Sequence, residues 1–322
     1  MMNGVVLNVG RARRAKRRGR GKKNGMDYEE MKGAYSALFT PYTPDNRINV
    51  ERVEQMVEYQ LAGGLRGFFV CGSTGEGLLL TLDERKQMLE AVVRANRGQG
   101  KVIAHVGAVR TDDSVELARH AAAVGADWVA SVPPIYFAQT FEGTLYHYRR
   151  IAEATDLPFM VYAFHTTVDP ERDVQLFKIR NLKGMKFTNS NFYSIQQLQR
   201  RLDKPALFLA GQDEQMVAAL SMGSFLGGVG TTYNLLPRHF AEICRLVLDA
   251  NDAAAARPFQ AEANAVVAIM LKYSNMSYAK AMMRFIGMDC GLCRAPFPPV
   301  TEDQYARLAE ELRQQGILKE VR

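Results

Sequence analysis

Cysteine is scarce in this chain. Four cysteines in 322 residues make no disulfide framework, and a reducing compartment, the cytoplasm, is expected. No apolar run approaches the roughly 18 residues that a membrane-spanning helix needs, so no span is predicted. The first predicted strand is not followed by G-x-G-x-x-G, which argues against a dinucleotide-binding fold. The G-x-x-x-x-G-K-[ST] spacing of a phosphate-binding loop is missing as well. Cys71 stands where a G-x-S-x-G nucleophile turn needs glycine. Cys290 and Cys293 form a lone C-x-x-C without a second pair, and no other residues have metal-ligand spacing. No repeat of about 20–50 residues is visible beyond the alternation described below.

Acidic residues are absent from one stretch. Arg11 to Lys23 holds nine Lys/Arg and no acid, and without those nine the formal charge of +7 falls to −2. The folded part is therefore mildly acidic, and residues 1–32 read as a disordered basic tail. Phosphate contacts would let such a tail bind nucleic acid. It has no aromatic side chain for base stacking, so nucleic acid is not the expected partner. The plainer alternative is that translation begins at Met26 or Met31. No apolar segment follows the charges, so the tail does not read as a secretory signal.

From Gly33 onward, apolar β-rich runs alternate with helical periods. The predicted strands are 35–39, 67–71, 101–106, 127–132, 159–162, 182–187, 206–210 and 228–231. Eight βα units in residues 33–250 predict a closed (β/α)8 TIM barrel of the α/β class. Residues 251–322 then predict three further helices, a C-terminal helical appendage. In such a barrel the C-terminal ends of the strands carry the chemistry.

Lys186 ends the sixth strand. A lysine amine attacks a ketone and forms a Schiff base when a dry pocket or a cationic neighbour keeps it neutral. Taken alone, Lys186 reads better as a surface lysine that snorkels from a strand end. Tyr162 ends the neighbouring fifth strand, where a phenol beside an ammonium suits general acid/base work. Tyr136, after the fourth strand, reads as a proton-relay hydroxyl or as a pocket wall. The second strand ends in Gly72-Ser73-Thr74-Gly75-Glu76, which is either a plain tight turn or a set of N–H and hydroxyl donors for a carboxylate. Gly211-Gln212-Asp213-Glu214 follows the seventh strand, and its acids either complement a helix start or accept from substrate hydroxyls. Thr231 lies in a turn of small and hydroxylated residues. His105 is expected to pack in the core, and His120, His147 and His239 to lie on helix surfaces.

Together, Gly72–Glu76, Ala104-His105-Val106-Gly107, Val161-Tyr162, Gly184-Met185-Lys186, Gly230–Asn234 and Cys293–Phe297 resemble the superfamily of dihydrodipicolinate synthase and N-acetylneuraminate lyase. Its members are pyruvate-dependent class I aldolases. The resemblance covers nearly everything but the tail. Gly211–Glu214 and Thr231–Asn234 make the chain look like the lyase branch. The loop Ala163–Asp169 lacks the arginine that the synthases carry there, but also lacks the usual lyase pattern.

The resemblance implies Lys186 as the Schiff-base lysine, Tyr162 as acid/base and Tyr136 as part of a hydroxyl relay. It implies that Ser73, Thr74 and Gly75 hold a keto-acid carboxylate, and that Thr188, Gly211, Asp213, Glu214 and Thr231 hold a sugar portion. It implies no metal or cofactor, a small-molecule keto-acid and sugar substrate, and a homotetramer. Other activities of the superfamily remain open: 4-hydroxy-tetrahydrodipicolinate synthesis and 2-keto-3-deoxy sugar-acid aldol or dehydratase chemistry.

Overall fold

The structure, a computed structural model, describes residues 28–137, 139–164, 166–273 and 276–319. The expected basic tail lies outside the described residues as far as residue 27. Its last part belongs to the fold instead. Tyr28–Met31 forms a 3-10 turn with Tyr28 and Met31 buried. The Tyr28 hydroxyl donates to the Pro205 carbonyl at 3.2 Å, and both residues plug the apolar interior of the barrel.

The eight predicted strands form a closed, all-parallel barrel in chain order. They are β1 (Gly33–Ala37), β2 (Gly67–Val70), β3 (Lys101–His105), β4 (Trp128–Ser131), β5 (Phe159–Phe164), β6 (Leu182–Thr188), β7 (Leu207–Ala210) and β8 (Gly227–Gly230). Helices α1 (Val50–Ala62), α2 (Leu82–Asn96), α3 (Thr111–Val124) and α4 (Phe141–Glu153) follow the first four strands. Helices α5 (Pro170–Asp173), α6 (Phe192–Gln199), α7 (Met216–Ser221) and α8 (Pro237–Cys244) follow the rest. The appendage is α9 (Ala253–Tyr273), α10 (Met276–Phe285) and α11 (Glu302–Gln315). Among the described residues no helix is long and apolar enough to cross a membrane.

Helix starts follow their capping residues. Thr81 and Thr301 close capping boxes with Glu84 and Gln304, and Asn49 and Asn191 cap α1 and α6. Side chains alternate along each strand, so the barrel has two cores. Tyr35, Phe69, Ile103, Trp128, Met160, Leu207 and Leu209 fill the interior, while residues such as Phe159, Val161 and Met185 pack outward against the helices. The same alternation aims Tyr162 and Lys186 inward.

Candidate active site

Strands β5 and β6 pair with Tyr162 directly opposite Lys186. The Lys186 Nζ lies 4.0 Å from the centroid of the Tyr162 ring and 4.4 Å from that of Phe69. Lys186 is 4% exposed and Tyr162 3%. Neither side chain makes a hydrogen bond or ion pair with another described residue. The amine is thus held by aromatic faces in the barrel interior and is left without a carboxylate partner. That is the position a nucleophilic lysine needs.

His105 supports the two rings. It is buried, with ring contacts to Phe69 and Tyr162, and its Nδ1 lies 3.0 Å from the Cys71 carbonyl. That contact places the ring proton on Nδ1. Burial pushes its pKa down to about 3, with the charges of Arg85 and Lys186 acting the same way. His105 is therefore a neutral spacer, as its place in an apolar strand suggested.

The turn after β2 is closed on itself by Glu76 N–H to Ser73 O at 3.0 Å and Gly77 N–H to Gly72 O at 3.0 Å. No described residue accepts from the backbone N–H groups of Ser73, Thr74 or Gly75. Unpaired amides in one turn form a ready site for a small anion. Ser73 is exposed, and the Thr74 hydroxyl lies 2.7 Å from that of Thr231 in the turn after β8. At Gly72 an added Cβ would meet the Phe69 ring at 2.7 Å, so glycine there lets the ring lie under the lysine.

Thr188 is two residues beyond Lys186 on the same strand face. Its hydroxyl oxygen is buried with no hydrogen-bond partner. A Cβ at Gly211 would come within 2.0 Å of that oxygen, so only glycine leaves Thr188 in place. Asp213 is buried, and its Oδ2 accepts from both the N–H and the hydroxyl of Thr232 at 2.7 Å. Burial pushes the Asp213 carboxyl up to about 6 against those two hydrogen bonds. Glu214 is half-buried and accepts from the Gln212 amide at 3.3 Å. Helix α9 reaches this turn too, with the Gln260 amide donating to the Asp213 carbonyl at 3.0 Å.

Tyr136 is the exception among the expected site residues. It is 88% exposed, with a φ of +72°, and its described ring contact is with Phe137. Within one chain it meets neither Lys186 nor Tyr162. His147 also departs from expectation. It is buried rather than on a surface, and its Nδ1 lies 2.9 Å from the Thr111 hydroxyl. Among the described residues no group of three or more His, Cys, Asp or Glu side chains could hold a metal ion.

The dihydrodipicolinate synthetase family matches residues 30–315. The chain belongs to that family. It is 34% identical to an N-acetylneuraminate lyase of Rhizobium meliloti over 285 residues, covering 87% of this chain and 94% of the relative. The structure superposes on CdNal from Clostridium difficile, solved in complex with mannosamine, with a TM-score of 0.83 and 27% identity over 88% of this chain and 99% of that one. It superposes on a dihydrodipicolinate synthase with a TM-score of 0.82 and 27% identity over 89% and 100%. The fold is thus common to both branches of the family.

Sequence reading missed Lys280. It is 1% exposed and bonded to Glu76, although a lysine in a helix usually faces water. A signal was present. Met276, Ala279, Lys280 and Met283 stand at i, i+3, i+4 and i+7, which puts Lys280 on the apolar face of α10.

Proposed function

We propose that the chain is a Schiff-base-forming class I aldolase that cleaves a pyruvate-derived keto-sugar acid, with N-acetylneuraminate as substrate and pyruvate and N-acetylmannosamine as products. The observation that carries this reading is the buried Lys186 amine, unpaired, against the Tyr162 ring. The free N–H groups of Ser73–Gly75 receive the keto-acid carboxylate, and the Thr74 hydroxyl adds a donor. Lys186 attacks the ketone carbon and water leaves, giving an iminium. Tyr162 takes the proton of the C4 hydroxyl, and the C3–C4 bond breaks. Its electron pair moves into the iminium, leaving an enamine on the lysine while the aldehyde departs. The enamine is protonated at C3, and water then releases pyruvate and the free amine.

Thr188, Gly211, Glu214 and Thr231 bind the sugar portion in this scheme. Asp213 joins through the oxygen not taken by Thr232. The choice of substrate draws on the N-acetylneuraminate lyase relatives and on the absence of arginine from residues 163–169. A homotetramer is proposed with it. Tyr136 acts as a relay only if another copy brings it to a site, because its own chain does not. A coupled assay tests the substrate directly. Cleavage of N-acetylneuraminate supports the reading, whereas condensation of pyruvate with aspartate semialdehyde would move the chain to the synthase branch.

A further inference from the structure

The turn that offers its amides to a carboxylate carries a buried ion pair of its own. Glu76 Oε1 accepts from Lys280 Nζ at 2.8 Å, and the two side chains are 0% and 1% exposed. Glu76 Oε2 accepts from the Arg294 backbone N–H at 2.7 Å. Both donors belong to the C-terminal appendage. Lys280 also donates to the Leu292 carbonyl at 3.2 Å and lies 3.9 Å over the Tyr42 ring. Arg294 in turn grips Glu84 at the start of α2 through both terminal nitrogens.

An ion pair this deep is a poor source of stability, since the cost of desolvating both charges cancels much of their attraction. A pair of apolar side chains of similar size would stabilise the fold as well. What the ion pair supplies is place. Glu76 has a φ of +54°, in the left-handed region that a side chain disfavours, and it directly follows Gly75. Its backbone N–H closes the turn on Ser73, while its carboxylate is fixed by two donors from outside the barrel. Pinning Glu76 therefore fixes the orientation of the three N–H groups before it.

We propose that Lys280 is a positioning residue. Through Glu76 it holds the turn so that the N–H groups of Ser73, Thr74 and Gly75 converge on the substrate carboxylate. The proposal rests on the Schiff-base reading above and assigns the appendage a part in it. Affinity for the keto acid then depends on a side chain that never touches the substrate.

The test is the pyruvate concentration giving half-maximal inactivation by borohydride, measured beside the melting temperature. It compares the unsubstituted chain with Lys280→Met, Lys280→Arg and the double variant Glu76→Gln/Lys280→Met. Lys280→Met leaves a buried carboxylate unpaired, so both readings worsen. The double variant removes both charges, so its melting temperature returns toward that of the unsubstituted chain. Its half-saturating pyruvate stays raised by roughly tenfold, the order expected for one lost charged hydrogen bond. Lys280→Arg keeps the charge, restores most of the melting temperature and leaves the affinity partly impaired. A double variant that matches the unsubstituted chain in pyruvate affinity makes the pair structural only and overturns the proposal, as does collapse of the fold in all three variants. An unsubstituted chain that pyruvate and borohydride fail to inactivate marks a different failure, that of the Schiff-base reading, and the proposal falls with it.

Discussion

Lys186 and Tyr162 face each other across adjacent parallel strands, in register, with the amine nitrogen 4.0 Å from the ring centroid. That relationship depends on side-chain alternation and on β5 and β6 being neighbours in a closed barrel. The Tyr162 hydroxyl donates to no described residue, so it is free to serve a substrate. Tyr162→Phe keeps the ring and its packing against Phe69 and His105 but removes the proton carrier. Turnover should fall by roughly 10²–10⁴-fold, the usual weight of a general acid/base. Melting temperature and circular dichroism should stay near those of the unsubstituted chain. Undiminished turnover would remove Tyr162 from the mechanism.

Thr188 offers a contrast between stability and binding. Its buried hydroxyl has no partner, so the fold gains nothing from it. Thr188→Val should leave the melting temperature unchanged or raised, while KM for the sugar acid increases. Gly211→Ala should raise the same KM further, because the new methyl displaces Thr188. Pyruvate trapping on Lys186 should survive both changes. Steady-state kinetics beside pyruvate titration separates these outcomes.

Asp213 should produce an acid limb in the pH profile. Its folded-state pKa is raised from 3.8 to about 6 by burial. A raised carboxyl stabilises the folded state fully below its unfolded value, and that contribution is lost as pH rises through about 6. Acid therefore does not unfold the chain through this group. It does remove the charged acceptor from the Thr232 N–H and hydroxyl, which weakens the hold on the residue next to Thr231. We expect kcat/KM to fall below a pH of about 6 while circular dichroism is unchanged. The Asp213→Asn chain should lose that limb. Loss of activity that tracks unfolding would refute this account.

Much of the barrel was legible in the chain because parallel strands buried on both sides read as short apolar runs between amphipathic helices. The pattern of strands puts Lys186 and Tyr162 near the C-terminal ends of neighbouring strands, while the roles given to them come from the resemblance. Other features required contacts between distant segments. Glu76 stands in a recognisable motif, yet its partner Lys280 is 204 residues away. The chain leaves Asp213 either as a helix-start acid or as an acceptor for substrate hydroxyls, and does not show that Thr232 on the neighbouring turn occupies one of its oxygens. The place of Tyr136 after β4 points to the site, and neither its positive φ nor its exposure leaves a trace in composition. Tyr28 and Met31 read as part of the tail because the lysines and arginines before them dominate that region. Their burial comes from contact with the residues that fill the barrel interior.

The most direct test of the account is reduction with borohydride in the presence of pyruvate, followed by peptide mapping. The account predicts one reduced pyruvate on Lys186, inactivation in proportion to labelling, and no label in the Lys186→Ala chain. Label on Lys183, or a chain that stays active and unlabelled, would contradict it.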